Sequence, residues 1–212
     1  MNSLPRLGKS PAPAYARSMR NVLDRLRQRL GGPFAARHRN RPVLDALYGA
    51  IMTAARAPAL YARIGVPDTV DGRYDMVMLH AYLVIDRLRR GDAAGQALAQ
   101  DLFDHMFRDM DAALREMGVG DMGIGKRIKK MAAKFYGRAE AYDAGLAGSG
   151  PELEDALARN AFPGVEPPPA GVAALAAYMR TARDRLAATP LEAVLAGRID
   201  FPEAPAVPET AA

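Results

Sequence analysis

Apolar side chains recur every three to four positions along most of this chain, and no segment shows the alternation of a half-buried strand. The pattern therefore predicts an all-α fold. It indicates a single helical bundle of about five core helices, with additional helices towards the C-terminus. We expect the five at about 15–30, 40–57, 74–89, 93–117 and 125–146, and the additional ones at about 151–161, 170–188 and 191–197.

The helix expected at 74–89 is apolar nearly all round, which is typical of a central helix in a bundle. The helix expected at 125–146 instead carries two separate stripes, about a third of a turn apart. Its core stripe consists of Ile128, Met131, Phe135, Ala139 and Tyr142. Its basic stripe, which the core stripe leaves free, consists of Arg127, Lys130, Lys134 and Arg138.

The net charge of +5 is unevenly distributed along the chain. Residues 1–41 contain ten Lys or Arg and a single acid, Asp24, so the rest of the chain is net negative. This division predicts a basic N-terminal arm over 1–40, a helical domain over 41–200 and a disordered tail over 201–212.

Within the arm, the helix at 15–30 separates arginines from apolar residues. One interpretation is a helix that lies on an anionic membrane surface, and the other is a helix docked on the domain by its apolar face. The membrane-surface candidates are Arg17, Arg20, Arg25, Arg27 and Arg29.

The residues that carry most enzyme chemistry are scarce. The chain has no Cys, which excludes disulfides, thiolate zinc sites and Cys nucleophiles. Its three His form no Glu-x-x-His pair of the kind that builds metal sites in helical bundles. We therefore expect no metal, no cofactor and no catalytic residue.

Two glycine motifs overlap between residues 118 and 126. Gly118 to Gly123 fits G-x-G-x-x-G, and Gly120 to Lys126 fits G-x-x-x-x-G-K. Both nucleotide-binding motifs need a strand before the glycines, whereas residues 112–117 continue a helical pattern, and Arg127 stands where a P-loop has Ser or Thr. The glycines favour a helix–helix connection, and a general anion site at the following helix N-terminus stays open.

The helix after these glycines opens with a run of cations and has no acid before Glu140. It lacks aromatic residues interleaved on its basic face, which argues against a nucleic-acid module and against DNA as a partner. We expect it to contact an anionic or peptide partner through Lys126, Arg127, Lys129, Lys130, Lys134 and Arg138.

Three segments resemble a known family. They are YGAIMTAARAPALYARIGVPDTVDGRYDMVMLHAYLVIDRLRRG at 48–91, DLFDHMFRDMDAALREMG at 101–118 and LREMGVGDMGIGKRIKKMAAKFYGRAEAY at 114–142. Together they resemble the ubiquinol–cytochrome c chaperone family over about 44–146. Arg115, Glu116 and Asp121 match the Leu-Arg-Glu-Met-Gly-Val-Gly-Asp pattern of that family, which implies that they shape the loop and its partner contacts.

The resemblance implies a non-enzymatic assembly chaperone for the cytochrome bc1 complex, with newly made cytochrome b as its client. It also implies the ribosome and a small partner protein as further contacts. The expected location is the cytoplasm, peripheral on the inner membrane, or the matrix side in a mitochondrial member. The alternative is an enzyme or binding module that acts on a phosphate- or lipid-like anion at residues 118–130.

Overall fold

The computed structural model describes residues 40–116, 118 and 121–204. Within these ranges the chain is all α-helical and forms no strand, which confirms the fold predicted from the hydrophobic spacing. The helix expected at 15–30 lies outside the described residues. The helices are α1 (Arg41–Ala55), α2 (Pro58–Ala62), α3 (Val70–Arg89), α4 (Ala93–Glu116), α5 (Asp121–Ala147), α6 (Glu152–Ala161), α7 (Pro169–Ala188) and α8 (Leu191–Leu195).

The centre of the bundle is α3, as its apolar circumference predicts. Every residue from Asp75 to Asp86 is buried, and α3 packs against α1, α4, α5, α6 and α7. The helix begins at Val70, one turn earlier than expected, because the Thr69 hydroxyl accepts a hydrogen bond from the N–H of Gly72 and caps it.

His80 is fully buried on α3 and joins it to α7. Its Nδ1 lies 2.7 Å from the carbonyl oxygen of Met76, and its Nε2 lies 2.7 Å from the hydroxyl of Tyr178. A carbonyl only accepts hydrogen bonds, so we assign the proton to Nδ1, and the Tyr178 hydroxyl then donates to Nε2. Burial lowers the pKa of His80 to about 4, so the ring is neutral near neutral pH.

The chain stays packed beyond the point where the disordered tail was expected to begin. The ring of Phe201 lies edge-on to His80, with 5.0 Å between ring centroids. Arg185 forms an ion pair with Asp200 at 2.7 Å and donates a hydrogen bond to the carbonyl of Phe201. The aromatic contact therefore places Phe201 with the bundle, and residues 205–212 lie outside the described part.

The crossing of α5 and α6 depends on a glycine. A Cβ added to Gly145 would lie 2.6 Å from the Cα of Leu153, so only glycine allows the two backbones this close. Gly137, on the same helix, is exposed, and a Cβ added there would meet nothing within 4 Å.

We expect Gly145→Ala to destabilise the fold by about 1–3 kcal/mol, because the extra methyl group forces α5 and α6 apart. Gly137→Ala is the matched control and should stabilise the fold by about 0.5–1 kcal/mol, since alanine favours a helix interior. Urea unfolding of both variants measures the difference. Equal effects of the two substitutions would contradict the close crossing.

His80 should make the fold sensitive to acid. Its pKa in the folded protein lies below the ordinary histidine value of 6.5, so the unfolded chain binds the proton more readily and stability falls as pH drops below 6.5. From about pH 7 to about pH 5 the loss attributable to His80 is about 2 kcal/mol. Denaturant unfolding of the parent chain and of His80→Gln should show the stability advantage of the parent shrinking by that amount. A pH-independent difference would contradict the assignment.

Candidate partner-binding surface

Helices α4 and α5 form a hairpin whose connection contains Gly118. This glycine has a φ of +80°, and its N–H donates to the carbonyl of Arg115 over 2.9 Å, which is a left-handed helix end that glycine favours. The glycine motifs thus begin in the connection between two helices and continue into the first turns of α5. Since no strand occurs in the described ranges, the context that either nucleotide-binding motif requires is missing there.

Helix α5 begins at Asp121 and not near Gly125, where the sequence placed its start. As a result, Gly123 and Gly125 belong to the helix, and Lys126 lies in its second turn. The cations are therefore displaced from the free N–H groups of the first turn, which an anion site at a helix N-terminus would use.

Five cations of α5 form one exposed cluster, which we call the α5 basic surface. The opposite side of the helix is anchored by Ile124 and Phe135, which are almost fully buried. Among the described residues, none of the five cations forms a salt bridge within 4.0 Å. The surface consists of Lys126, Arg127, Lys129, Lys130 and Lys134.

Arg138 does not belong to this exposed surface, contrary to the stripe inferred from the sequence. Its side chain is only 12% exposed, and its Nη2 lies 2.7 Å from Oδ1 of Asp75 on α3. The guanidinium also lies 5.9 Å from the ring centroid of Tyr74. The reason is that α3 packs against α5 at this height and buries the last cation of the stripe.

Asp75 is a residue whose role sequence reasoning missed. It is only 5% exposed within the bundle. Burial raises the pKa of Asp75 to about 6, although Arg138 and Lys134 favour the charged form. Its position directly before the apolar run 76–79 could have indicated a buried acid that needs a cation on a neighbouring helix.

The three residues taken from the family pattern lie on either side of the connection between α4 and α5. Arg115 forms an exposed ion pair with Asp111 at 2.8 Å, and Glu116 is the exposed last residue of α4. Asp121 is the first residue of α5. The five arginines assigned to a membrane-surface role, Arg17, Arg20, Arg25, Arg27 and Arg29, lie outside the described residues.

Within the described residues there is no group of three His, Asp or Glu side chains that could hold a metal ion. His105 lies 3.5 Å from Asp45, and burial lowers the pKa of His105. The described helices are all too short or too polar to cross a membrane.

With this geometry in place, comparison with known proteins decides the family. Residues 62–201 match the sequence model of the family described as "Ubiquinol-cytochrome C chaperone". The chain belongs to this family. The match starts later than the resemblance noted at 44–146 and continues through α6, α7 and α8.

Relatives of the chain include solved and curated proteins. The Cbp3 homologue from Brucella abortus, which has a crystal structure, is 38% identical to this chain in sequence and superimposes with a TM-score of 0.71. The match covers 86% of this chain and 97% of that chain. Ubiquinol-cytochrome-c reductase complex assembly factor 1 of Xenopus laevis is 23% identical over 100 residues, which are 47% of this chain and 50% of the relative. The Homo sapiens protein is 26% identical over 102 residues, which are 48% of this chain and 34% of the relative. The chain thus spans half or less of the length of these curated relatives.

The Asp75–Arg138 pair generates a stability prediction. We expect Arg138→Met to destabilise the fold by about 3–5 kcal/mol, because it leaves the buried Asp75 carboxylate without its cation. Lys130→Met is the matched control on the same stripe and should change stability by less than about 1 kcal/mol. Urea unfolding measures both.

Adding Asp75→Leu to Arg138→Met should recover most of the loss, since both charges are then removed together. If Arg138→Met cost no more than Lys130→Met, the ion pair would not be a buried support of the bundle.

Proposed function

We propose that the chain is a non-enzymatic assembly chaperone for the cytochrome bc1 complex, and that it binds newly made cytochrome b or a similar membrane-protein client. The observation that carries this proposal is the family membership over 62–201, together with relatives that are named as assembly factors of ubiquinol–cytochrome c reductase. The site of action in this proposal is the cytoplasm, at the face of the inner membrane.

The α5 basic surface is the contact surface in this proposal. Its five cations are exposed and lack salt bridges to the described residues, so a partner can reach them without first breaking an ion pair there. Arg115, Glu116 and Asp121 flank it at the hairpin end. Arg138 supports the surface from inside through Asp75.

The remaining partners are extensions of the same proposal. The N-terminal arginines 17, 20, 25, 27 and 29 would add contact with an anionic membrane, and the ribosome and a small partner protein would hand over or share the client. The rival function, action on a small phosphate- or lipid-like anion at 118–130, has the same cations in its favour. The arrangement of helices on both sides of Gly118 offers it no further support.

The α5 basic surface can be tested in cells that depend on this chain for bc1 assembly. We expect Lys130→Glu with Lys134→Glu to lower the bc1 complex, measured from its haem difference spectrum, and to abolish recovery of cytochrome b with the tagged chain. The thermal midpoint should stay within about 4–8 °C, because exposed charges contribute only about 0–1 kcal/mol to stability.

The matched control is Arg63→Glu with Arg198→Glu, which makes the same change in net charge at two other exposed arginines. This control should keep normal bc1 levels. Normal bc1 levels and normal client recovery with the α5 variant would move the contact elsewhere. Absence of any bc1 defect when the whole chain is deleted would refute the proposed function itself.

A further inference from the structure

The basic stripe of α5 changes its surroundings along the helix. At Arg138 it is buried against Asp75, and one turn earlier Lys134 is exposed yet still acts electrostatically on Asp75. Lys130, another turn earlier, is exposed, and so is Arg127 before it. The bundle therefore covers one end of the stripe and leaves the other end open.

An exposed apolar residue lies at this open end. Val70, the first residue of α3, is 79% exposed. Tyr74, one turn later on nearly the same face of α3, donates a hydrogen bond to the carbonyl of Met131 on α5. Further along, Tyr82 of α3 contacts Asp143 of α5, so the two helices run in the same direction. The turn of Val70 is thus level with the α5 turn before Met131, which carries Arg127 and Lys130.

The α5 basic surface and Val70 together combine cations with apolar groups. Met131, which follows Arg127 by one turn on nearly the same face, is partly exposed. Asp71 is a nearby acid that acts on Asp75, and the cations outnumber it. Four of the five cations are lysines, which act as flexible point charges and do not impose the planar two-bond geometry of arginine.

Two kinds of large anionic partner would meet such a surface differently. Single-stranded nucleic acid needs exposed aromatic rings for base stacking, but the nearby rings of Phe135 and Tyr136 are 2% and 7% exposed. A lipid membrane needs lysines that reach the headgroups and apolar side chains that enter the interface, and this surface provides both.

We propose that the α5 basic surface and Val70 bind the anionic headgroups of a lipid membrane. This inference rests on the proposed function, because it names the partner of the same surface, and it places the hairpin end of the chaperone on the membrane that receives the client. Lys126, Arg127, Lys129, Lys130 and Lys134 would contact phosphates, and Val70 would enter the interface beside them.

The test is flotation of the full chain with vesicles of phosphatidylcholine alone or with about 30% phosphatidylglycerol. We expect binding only to the anionic vesicles, and its loss when salt rises from about 0.1 M to about 1 M. Lys130→Glu with Lys134→Glu should weaken binding by about tenfold or more, since each cation near an anionic surface contributes about one decade or less. The matched control is Arg63→Glu with Arg198→Glu, which should bind within about twofold of the parent chain, because screening limits the effect of remote charges.

Val70→Ser provides a second readout that leaves every charge in place. It should weaken binding by about fivefold, because it removes the apolar contact from the interface. Circular dichroism checks that each variant is folded before flotation.

Several outcomes would overturn the inference. Unchanged flotation of the α5 charge variant would assign lipid binding to other residues. If inorganic phosphate at the same ionic strength displaced the chain from vesicles, the surface would be a site for free anions. If the α5 charge variant lost binding to ribosomal RNA but still bound vesicles, the surface would be assigned to RNA. The flotation assay contains no client. If the parent chain binds anionic vesicles as expected but deletion of the chain causes no bc1 defect, only the proposed function is contradicted.

Discussion

A helix that is buried on all sides requires a partner for each of its polar side chains, and this requirement organises the bundle around α3. Asp75 forms an ion pair with Arg138 of α5, and His80 accepts a hydrogen bond from the Tyr178 hydroxyl of α7. Tyr82 donates a hydrogen bond to Asp143 of α5 over 2.6 Å. Asp86 forms an ion pair with Arg90, the residue that follows the end of α3. Apolar contact alone would allow the neighbouring helices to slide or rotate, whereas these directional bonds fix the height and rotation of α5 and α7.

The ends of neighbouring helices are joined by arginines that donate hydrogen bonds to backbone carbonyls. Arg87 of α3 donates to the carbonyls of Leu186 and Thr189, which close the C-terminus of α7. In the reverse direction, Arg183 of α7 donates to the carbonyl of Leu146 near the end of α5. Helix ends leave carbonyls without intrahelical partners, so these contacts satisfy groups that would otherwise weaken the packing of the ends. Through these contacts α7 completes the packing of both α3 and α5, and it lies within the family match.

Local spacing was enough to predict the long helices within the described residues, because hydrophobic periodicity records burial over several turns. It could not predict which cation of the basic stripe is buried. Arg127 and Arg138 have the same spacing relation to the core stripe, and only the packing of Asp75 against α5 distinguishes them. The composition of the tail likewise indicated disorder from 201, whereas Phe201 packs beside His80 through a contact that no local pattern contains.

The buried and exposed parts of the α5 stripe have a common cause. Arg138 is held by Asp75, and this ion pair fixes the rotation of α5 about its own axis. Residues four positions apart lie on nearly the same face of a helix, so Lys134 and Lys130 then follow in a fixed direction towards solvent. A buried pair contributes little net stability once its desolvation is counted, but it can specify an arrangement that apolar packing leaves open. In this chain the arrangement it specifies is the orientation of an exposed cationic surface. The partner contact that we assign to α5 thus depends on a carboxylate of α3 that the partner never touches.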